Sequence, residues 1–190
     1  MKRHLAVRGH AGQFDSPSGK RPDAAPCRRQ PAPDRPFDYH RGMAQALTPN
    51  GTSESRAAAL ALFADGLRFA SLATVNADGS PHQTVIWYIL EGDTVVLNGA
   101  EGRVWVTNLQ RDRRFSLAVE DGYRWMSVRG TVDRVDRGTI GQADAAISAR
   151  HYHAAEPQVA EDLIHGRFEL QQRVSFRLWL ATSKLYYHED

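Results

Sequence analysis

A single cysteine, Cys27, in 190 residues excludes an internal disulfide and any cysteine-rich zinc site. Long apolar runs are also missing. No stretch reaches the roughly 20 residues of a membrane-spanning helix, and Met1 to Arg41 holds no apolar run of the kind a secretory signal needs. The expected location is the cytoplasm. Charge of one sign is scarce too, the formal net being only +2. Nine Lys or Arg stand against four Asp or Glu in residues 1–49, so the surplus belongs to that segment and the remainder is slightly acidic. With no broad basic field there, nucleic acid is not an expected partner. Nucleophile elbows and nucleoside-triphosphate phosphate loops are absent as well.

What is present is unevenly distributed. Seven of the nine prolines precede Gly51, in text too poor in periodic apolar residues to offset its ordering entropy. Residues 1–50 are therefore expected to be a disordered, basic, proline-rich tail. A targeting arm, or a true start at Met43, are the alternatives. The chain as a whole is 42 % apolar, and residues 51–190 are enough to build one domain. Ser53 to Ala64, stopped by Gly66, predicts a short helix. Arg68 to Val75 and Pro81 to Leu90 flank the turn Asn76-Ala77-Asp78-Gly79, and Glu91-Gly92-Asp93 leads into Thr94 to Asn98, a predicted three-stranded meander. Arg103 to Arg111 reads as a helix with Val104, Trp105 and Leu109 inward. Phe115 to Glu120 and Tyr123 to Val135 form a second hairpin with a bulge expected at Gly130. Helices over Thr139 to Tyr152 and Gln158 to Leu163 precede closing strands Arg173 to Ala181 and Lys184 to His188. The fold class is mainly β: a barrel with a few helices. Apolar and aromatic residues on both faces of Thr84 to Leu90 suggest a homodimer.

One junction carries chemistry. A strand ending in Asn98-Gly99-Ala100-Glu101-Gly102 and entering a helix leaves backbone N–H groups open at a favourable dipole end, and Arg103 adds a fixed cation. A phosphate could be held there by the amides, Arg103 and Asn98. The plain alternative is a tight turn followed by a solvated arginine. Trp87, Tyr88, Trp125 and Met126 are either core or a flat wall for an aromatic substrate. His82 has a side chain suited to proton transfer near neutrality, and Tyr88 is a second candidate donor. His151 and His153 lie two apart on a helix and diverge by about 200°, and with His165 and His188 they are not expected to form a metal site.

The segments SLATVNADGSPHQTVIWY, NGAEGRVWVTNLQRDRRFSLAVED and VRGTVDRV resemble the pyridoxamine 5'-phosphate oxidase-like family of split β-barrels, over residues 55–188. Within it the chain is most similar to the flavin- and deazaflavin (F420)-dependent oxidoreductases, through the helix Asn108-Leu109-Gln110-Arg111-Asp112-Arg113-Arg114. The resemblance implies an FMN-binding type of split barrel, a homodimer, and F420 or FMN used for hydride transfer with a small, unsaturated or aromatic substrate. It implies a cofactor ring against Pro81, His82, Thr84 and Val85, and a phosphate side formed by Asn98, Gly99, Arg103, Trp105 and Asn108, with Trp125 supplied by the partner subunit. Trp105 stands where relatives carry a phosphate-contacting Lys, which weakens the case for a long polyanionic tail. An FMN-dependent oxidase, or a haem- or cofactor-binding module without hydride chemistry, are the alternatives. The shared requirement is an open groove leading from the junction along the neighbouring strands.

Overall fold

Period-two alternation decides which way the strands face. A computed structural model describes residues 45–47 and 53–188; the expected disorder of the tail falls, up to residue 44, outside the described residues. The elements are β1 (Gln45–Leu47), α1 (Ser53–Ala64), β2 (Ala70–Val75), β3 (Pro81–Ile86), β4 (Ile89–Glu91), β5 (Thr94–Ala100), α2 (Val104–Arg111), β6 (Arg114–Asp121), β7 (Arg124–Thr131), β8 (Arg134–Asp136), α3 (Gly138–Tyr152), α4 (Pro157–Leu163), a π-helical turn (Ile164–Phe168), β9 (Arg173–Trp179) and β10 (Lys184–His188). On β2 and β6 every second residue is buried, placing Ala70 and Leu72 beside Phe115, Leu117 and Val119 on one inner face. The strands form two antiparallel sheets, one in the order β1-β10-β7-β6-β2-β3 and the other β4-β5-β9-β8. Leu72, Leu97, Leu117, Phe176 and Leu178 share one buried core between them. Strands β5 and β9 are buried on both faces, because α3 covers the side turned away from that core.

Two predicted strands are broken in ways that create the split barrel. Pro81 to Leu90 is interrupted at Trp87-Tyr88, so β3 ends one sheet and β4 begins the other. The meander is therefore corrected to two hairpins, β2–β3 and β4–β5. Backbone groups freed at the break must find other partners. The Tyr152 hydroxyl accepts from the Tyr88 N–H at 3.1 Å and donates to the Arg68 carbonyl at 2.5 Å, while its ring stacks on Trp87 at 4.7 Å and 7°. Likewise Tyr123 to Val135 divides into β7 and β8, with Val132 buried at the crossing and its N–H donated to the Arg113 carbonyl at 2.9 Å. Gly130 is not a bulge: it pairs in register with Phe115, and its missing side chain leaves room for Ser183, whose Oγ would lie 2.9 Å from an added Cβ. A further difference is β1, which pairs with β10 although the text around it reads as tail.

A buried ion-pair cluster ties the smaller sheet to its covering helix. Arg177 on β9 donates to Glu91 at 2.9 Å, Asp136 at 2.8 Å and Asp144 at 3.1 Å, linking β4, β8 and α3. Burial alone would raise the Asp136 pKa, but hydrogen bonds and charge from Arg134 and Arg177 outweigh it and hold the carboxyl below its usual range. A depressed folded-state pKa contributes stability above the unfolded value of about 3.9, and that contribution is lost as pH falls through the folded value. Arg177→Met should leave Asp144 without its cation and Asp136 with Arg134 alone, and cost about 3 to 5 kcal/mol in denaturant unfolding at pH 7. Its unfolding midpoint should then depend less on acid below pH 4 than that of the parent protein.

Candidate functional site

The strand-to-helix junction opens into a cavity of about 280 Å³. Val85, Ile86 and Trp87 form one wall, and Asn98, Arg103 and Trp105 come from the junction. Leu163, Arg167 and Phe168 of the π-turn region, with Arg173 of β9, close the other side. Since β3 is the terminal strand of its sheet, one of its backbone edges lacks a strand partner among the described residues. The cavity thus runs from the junction to the end of β3.

Arg173 dominates the electrostatics. It is only 7 % exposed, yet no carboxylate among the described residues pairs with it or with Arg103 or Arg167. Its Nε and Nη2 donate to the Asn98 Oδ1 at 2.8 and 2.6 Å, its Nη1 donates to the Gln171 Oε1 at 2.9 Å, and the guanidinium lies 4.2 Å over the Phe168 ring. Of five N–H donors on a guanidinium, two are left for a ligand. Burial first, then the like charges of Arg103 and Arg167, pull its pKa down to about 10, so it remains cationic at neutral pH. A buried charge is costly unless compensated, and here dipoles and a ring face supply only part of the compensation. The one carboxylate at the junction is drawn elsewhere: Glu101 accepts from Gln110 at 2.9 Å and from Arg137 at 3.3 Å. The first turn of α2 carries no side-chain cap, so its N–H groups add to the positive field.

Expected residues divide between this cavity and other places. Val85, Asn98, Arg103 and Trp105 line it. Gly99 lies directly beneath Trp105: an added Cβ would stand 2.3 Å from the ring, so this glycine exists for close packing rather than for a phosphate. Asn98 is also corrected in role. Its Nδ2 donates to the Gly141 carbonyl at 2.8 Å and the Ser175 Oγ at 2.9 Å, and both lone pairs of Oδ1 face Arg173, so it aims the arginine and has nothing left for a ligand. His82 and Thr84 are not among the residues lining the cavity; on β3 they pair with Thr74 and Leu72. Pro81 belongs to a separate shallow pocket with Gly79 and Arg114. Asn108 is buried and donates to Thr74 at 3.0 Å and Asn76 at 2.9 Å, and Arg111 donates to the Val75 carbonyl and to the Asn108 Oδ1, so the two secure the β2–β3 turn. Tyr88 is unsuited to proton donation: its hydroxyl is bonded to the Phe63 carbonyl at 2.8 Å, and burial foremost raises its pKa to about 12. Trp125 stacks on His188 at 5.8 Å, away from this cavity. His151, His153 and His165 turn to Tyr152, Trp87 and two glutamates respectively, and no group of three or more metal-ligating side chains occurs among the described residues.

Arg167, Phe168 and Arg173 were not foreseen. The sequence did contain a signal for Arg173: on β9 the polar set Arg173, Ser175, Arg177 alternates with Val174, Phe176, Leu178, yet both sets are largely buried. The two sheets define a split β-barrel with a cationic cavity at their junction. The pyridoxamine 5'-phosphate oxidase family pattern matches residues 57–174, and the chain belongs to that family. A conserved hypothetical protein of Mycobacterium tuberculosis is similar at 20 % identity and TM-score 0.55, over 76 % of this chain and 88 % of its own. A protein of unknown function from Agrobacterium tumefaciens shows 25 % identity and TM-score 0.51, over 73 % and 59 %. An F420 reductase shows 21 % identity and TM-score 0.49, over 63 % and 90 %. These likenesses are of fold. No curated protein matches the chain, and no described helix is long and apolar enough to cross a membrane.

Close packing makes two glycines sensitive. At Gly141 an added Cβ would meet the Arg173 carbonyl at 2.3 Å, a backbone atom that cannot swing aside. Gly141→Ala should destabilise by about 1 to 3 kcal/mol and disturb the Asn98–Gly141 bond that positions Arg173. A lowered midpoint of thermal unfolding checks this.

Proposed function

We propose that this chain is an oxidoreductase that holds a flavin-type cofactor, FMN or the deazaflavin F420, by its phosphate in the arginine cavity and acts on a small organic substrate. The observation that carries the reading is Arg173: desolvated, without a carboxylate, and facing two further arginines. Phosphate oxygens suit that donor set, since paired guanidinium hydrogen bonds match their geometry and charge. The apolar wall of Val85, Ile86 and Trp87 fits a flat ring, and the free edge of β3 offers backbone donors and acceptors to its polar rim. When bound, the cofactor supplies hydride transfer between its ring and the substrate. The barrel's own part is orientation and exclusion of water: Phe168 and Leu163 shield one side, and Asn98 keeps Arg173 aimed. Haem is the poorer fit, because the cavity wall carries no His, Cys, Met or Tyr to serve as an axial ligand.

The assembly we propose is a homodimer. Phe69 and Val85 line the cavity yet are 57 % and 65 % exposed, an arrangement suited to a site completed by a second copy. Sedimentation of the purified protein should report two copies, and a monomer at micromolar concentration would remove this part of the reading.

Titration with FMN, F420 and haem, followed by absorbance, tests the cofactor assignment. FMN or F420 should bind and inorganic phosphate should compete. Arg173→Leu should weaken binding by about 1.5 to 3 kcal/mol, and Arg103→Ala by about 1 to 3, as for lost charge-assisted hydrogen bonds. A Soret band with haem and no flavin binding would overturn the proposal.

A further inference from the structure

Arg173 is a wall shared by two cavities. Besides the one described above, it lines a second of about 430 Å³ together with Glu101, Arg137, Gln142, Glu169, Gln171 and Gln172. The first, at about 280 Å³, falls short of the roughly 300–1,000 Å³ of small-molecule sites. The second reaches that range, and its chemistry is different. Amides take the place of aromatic rings, and the carboxylates of Glu101 and Glu169 stand against the guanidinium groups of Arg137 and Arg173. Several of its polar atoms are only partly engaged. Gln171 receives the Arg173 Nη1–H at 2.9 Å with its Oε1, Gln142 donates its Nε2–H to the Gln171 carbonyl at 2.6 Å, and Glu169 meets His165 through Oε1. Among the described residues, that leaves the Gln142 Oε1, the Gln171 Nε2, the Glu169 Oε2 and the Gln172 side-chain amide for a ligand. Leu170, on the same wall, is 80 % exposed.

Balanced charge makes this cavity a poor anion site, and its groups match a nucleoside. Side-chain amides offer donor and acceptor side by side, as the edge of a purine requires. A carboxylate oxygen accepts from ribose hydroxyls, and an apolar side chain standing far out in water suits a surface that a flat ring covers. We propose that the second cavity holds the adenosine half of FAD, with Arg173 between it and the flavin half. The inference rests on the flavin reading above and extends it from a mononucleotide to a dinucleotide. FMN would end at Arg173 and leave the amides to water. The polyanionic tail of F420 would bring like charge to Glu101 and Glu169.

Calorimetric titration of the full chain with FMN, FAD, F420 and ADP tests this. FAD should bind roughly tenfold more tightly than FMN or F420, and ADP, which has no flavin ring, should displace it. Leu170 and Gln172 are both exposed, so Leu170→Ser and Gln172→Ala, made together, should leave thermal stability unchanged. The same pair should raise the FAD dissociation constant roughly five- to tenfold and move that of FMN by less than about twofold. FMN bound as tightly as FAD, F420 bound more tightly, or a double variant that weakens FMN and FAD alike would overturn the adenosine assignment and leave the flavin reading standing. ADP bound with no flavin would overturn the flavin reading, and FAD with it, while the nucleoside cavity stands. Failure of every ligand to bind would overturn both.

Discussion

The desolvated positive charge of Arg173 is the constraint around which the site is organised. Removing a guanidinium from water without giving it a carboxylate is unfavourable, so the surrounding chain spends several features on holding it. Asn98 accepts two of its hydrogen bonds and in turn donates to α3 and β9. Gly141 lets α3 approach closely enough for that donation, because any side chain there would strike the backbone of Arg173 itself. Phe168, delivered by the π-helical turn, covers the guanidinium face. π-Turns are uncommon and often sit at functional sites; this one brings Arg167 and Phe168 to the cavity together.

Much of the fold was readable from local chemistry. Helices α1 to α4 and most strands follow from apolar patterning, turn glycines and period-two alternation, with Gly66, Gly79, Gly92 and Gly122 all at positive φ where the turns were expected. The departures share a cause. Continuous β-type text at Pro81 to Leu90 and Tyr123 to Val135 says nothing of where a strand leaves one sheet for another, since that depends on distant partners. Tyr152, 64 residues from Tyr88 along the chain, stabilises the first break and could not be paired with it from sequence.

The site was legible in its near half only. The junction residues Asn98, Arg103 and Trp105 are close in sequence, and dipole and charge arguments lead to them without long-range knowledge. Arg173 joins them through the β5–β9 register, which sets it opposite Ala100, and pairing over such a separation is not written locally. The side-chain roles assigned to β3 failed for a simpler reason. Only the C-terminal end of β3, Val85 and Ile86, reaches the cavity, and local text does not say how far along a strand a distant cavity extends.

Arg173 and Arg177 offer an internal control on this interpretation. They lie four residues apart on the same face of one strand, both largely withdrawn from solvent and both next to α3. Arg177 is met by Glu91, Asp136 and Asp144; Arg173 is met by amides and an aromatic ring, with two arginines nearby. If the cationic character of the cavity were a by-product of packing α3 on β9, both positions would be expected to carry acidic partners, because Asp144 on α3 and Glu101 in the turn before α2 lie in this region. Instead Glu101 is bound to Gln110 and Arg137, and Asp144 goes to Arg177. Compensation is complete where the strand only needs fastening and withheld where the cavity opens, which is the distribution an anion site requires.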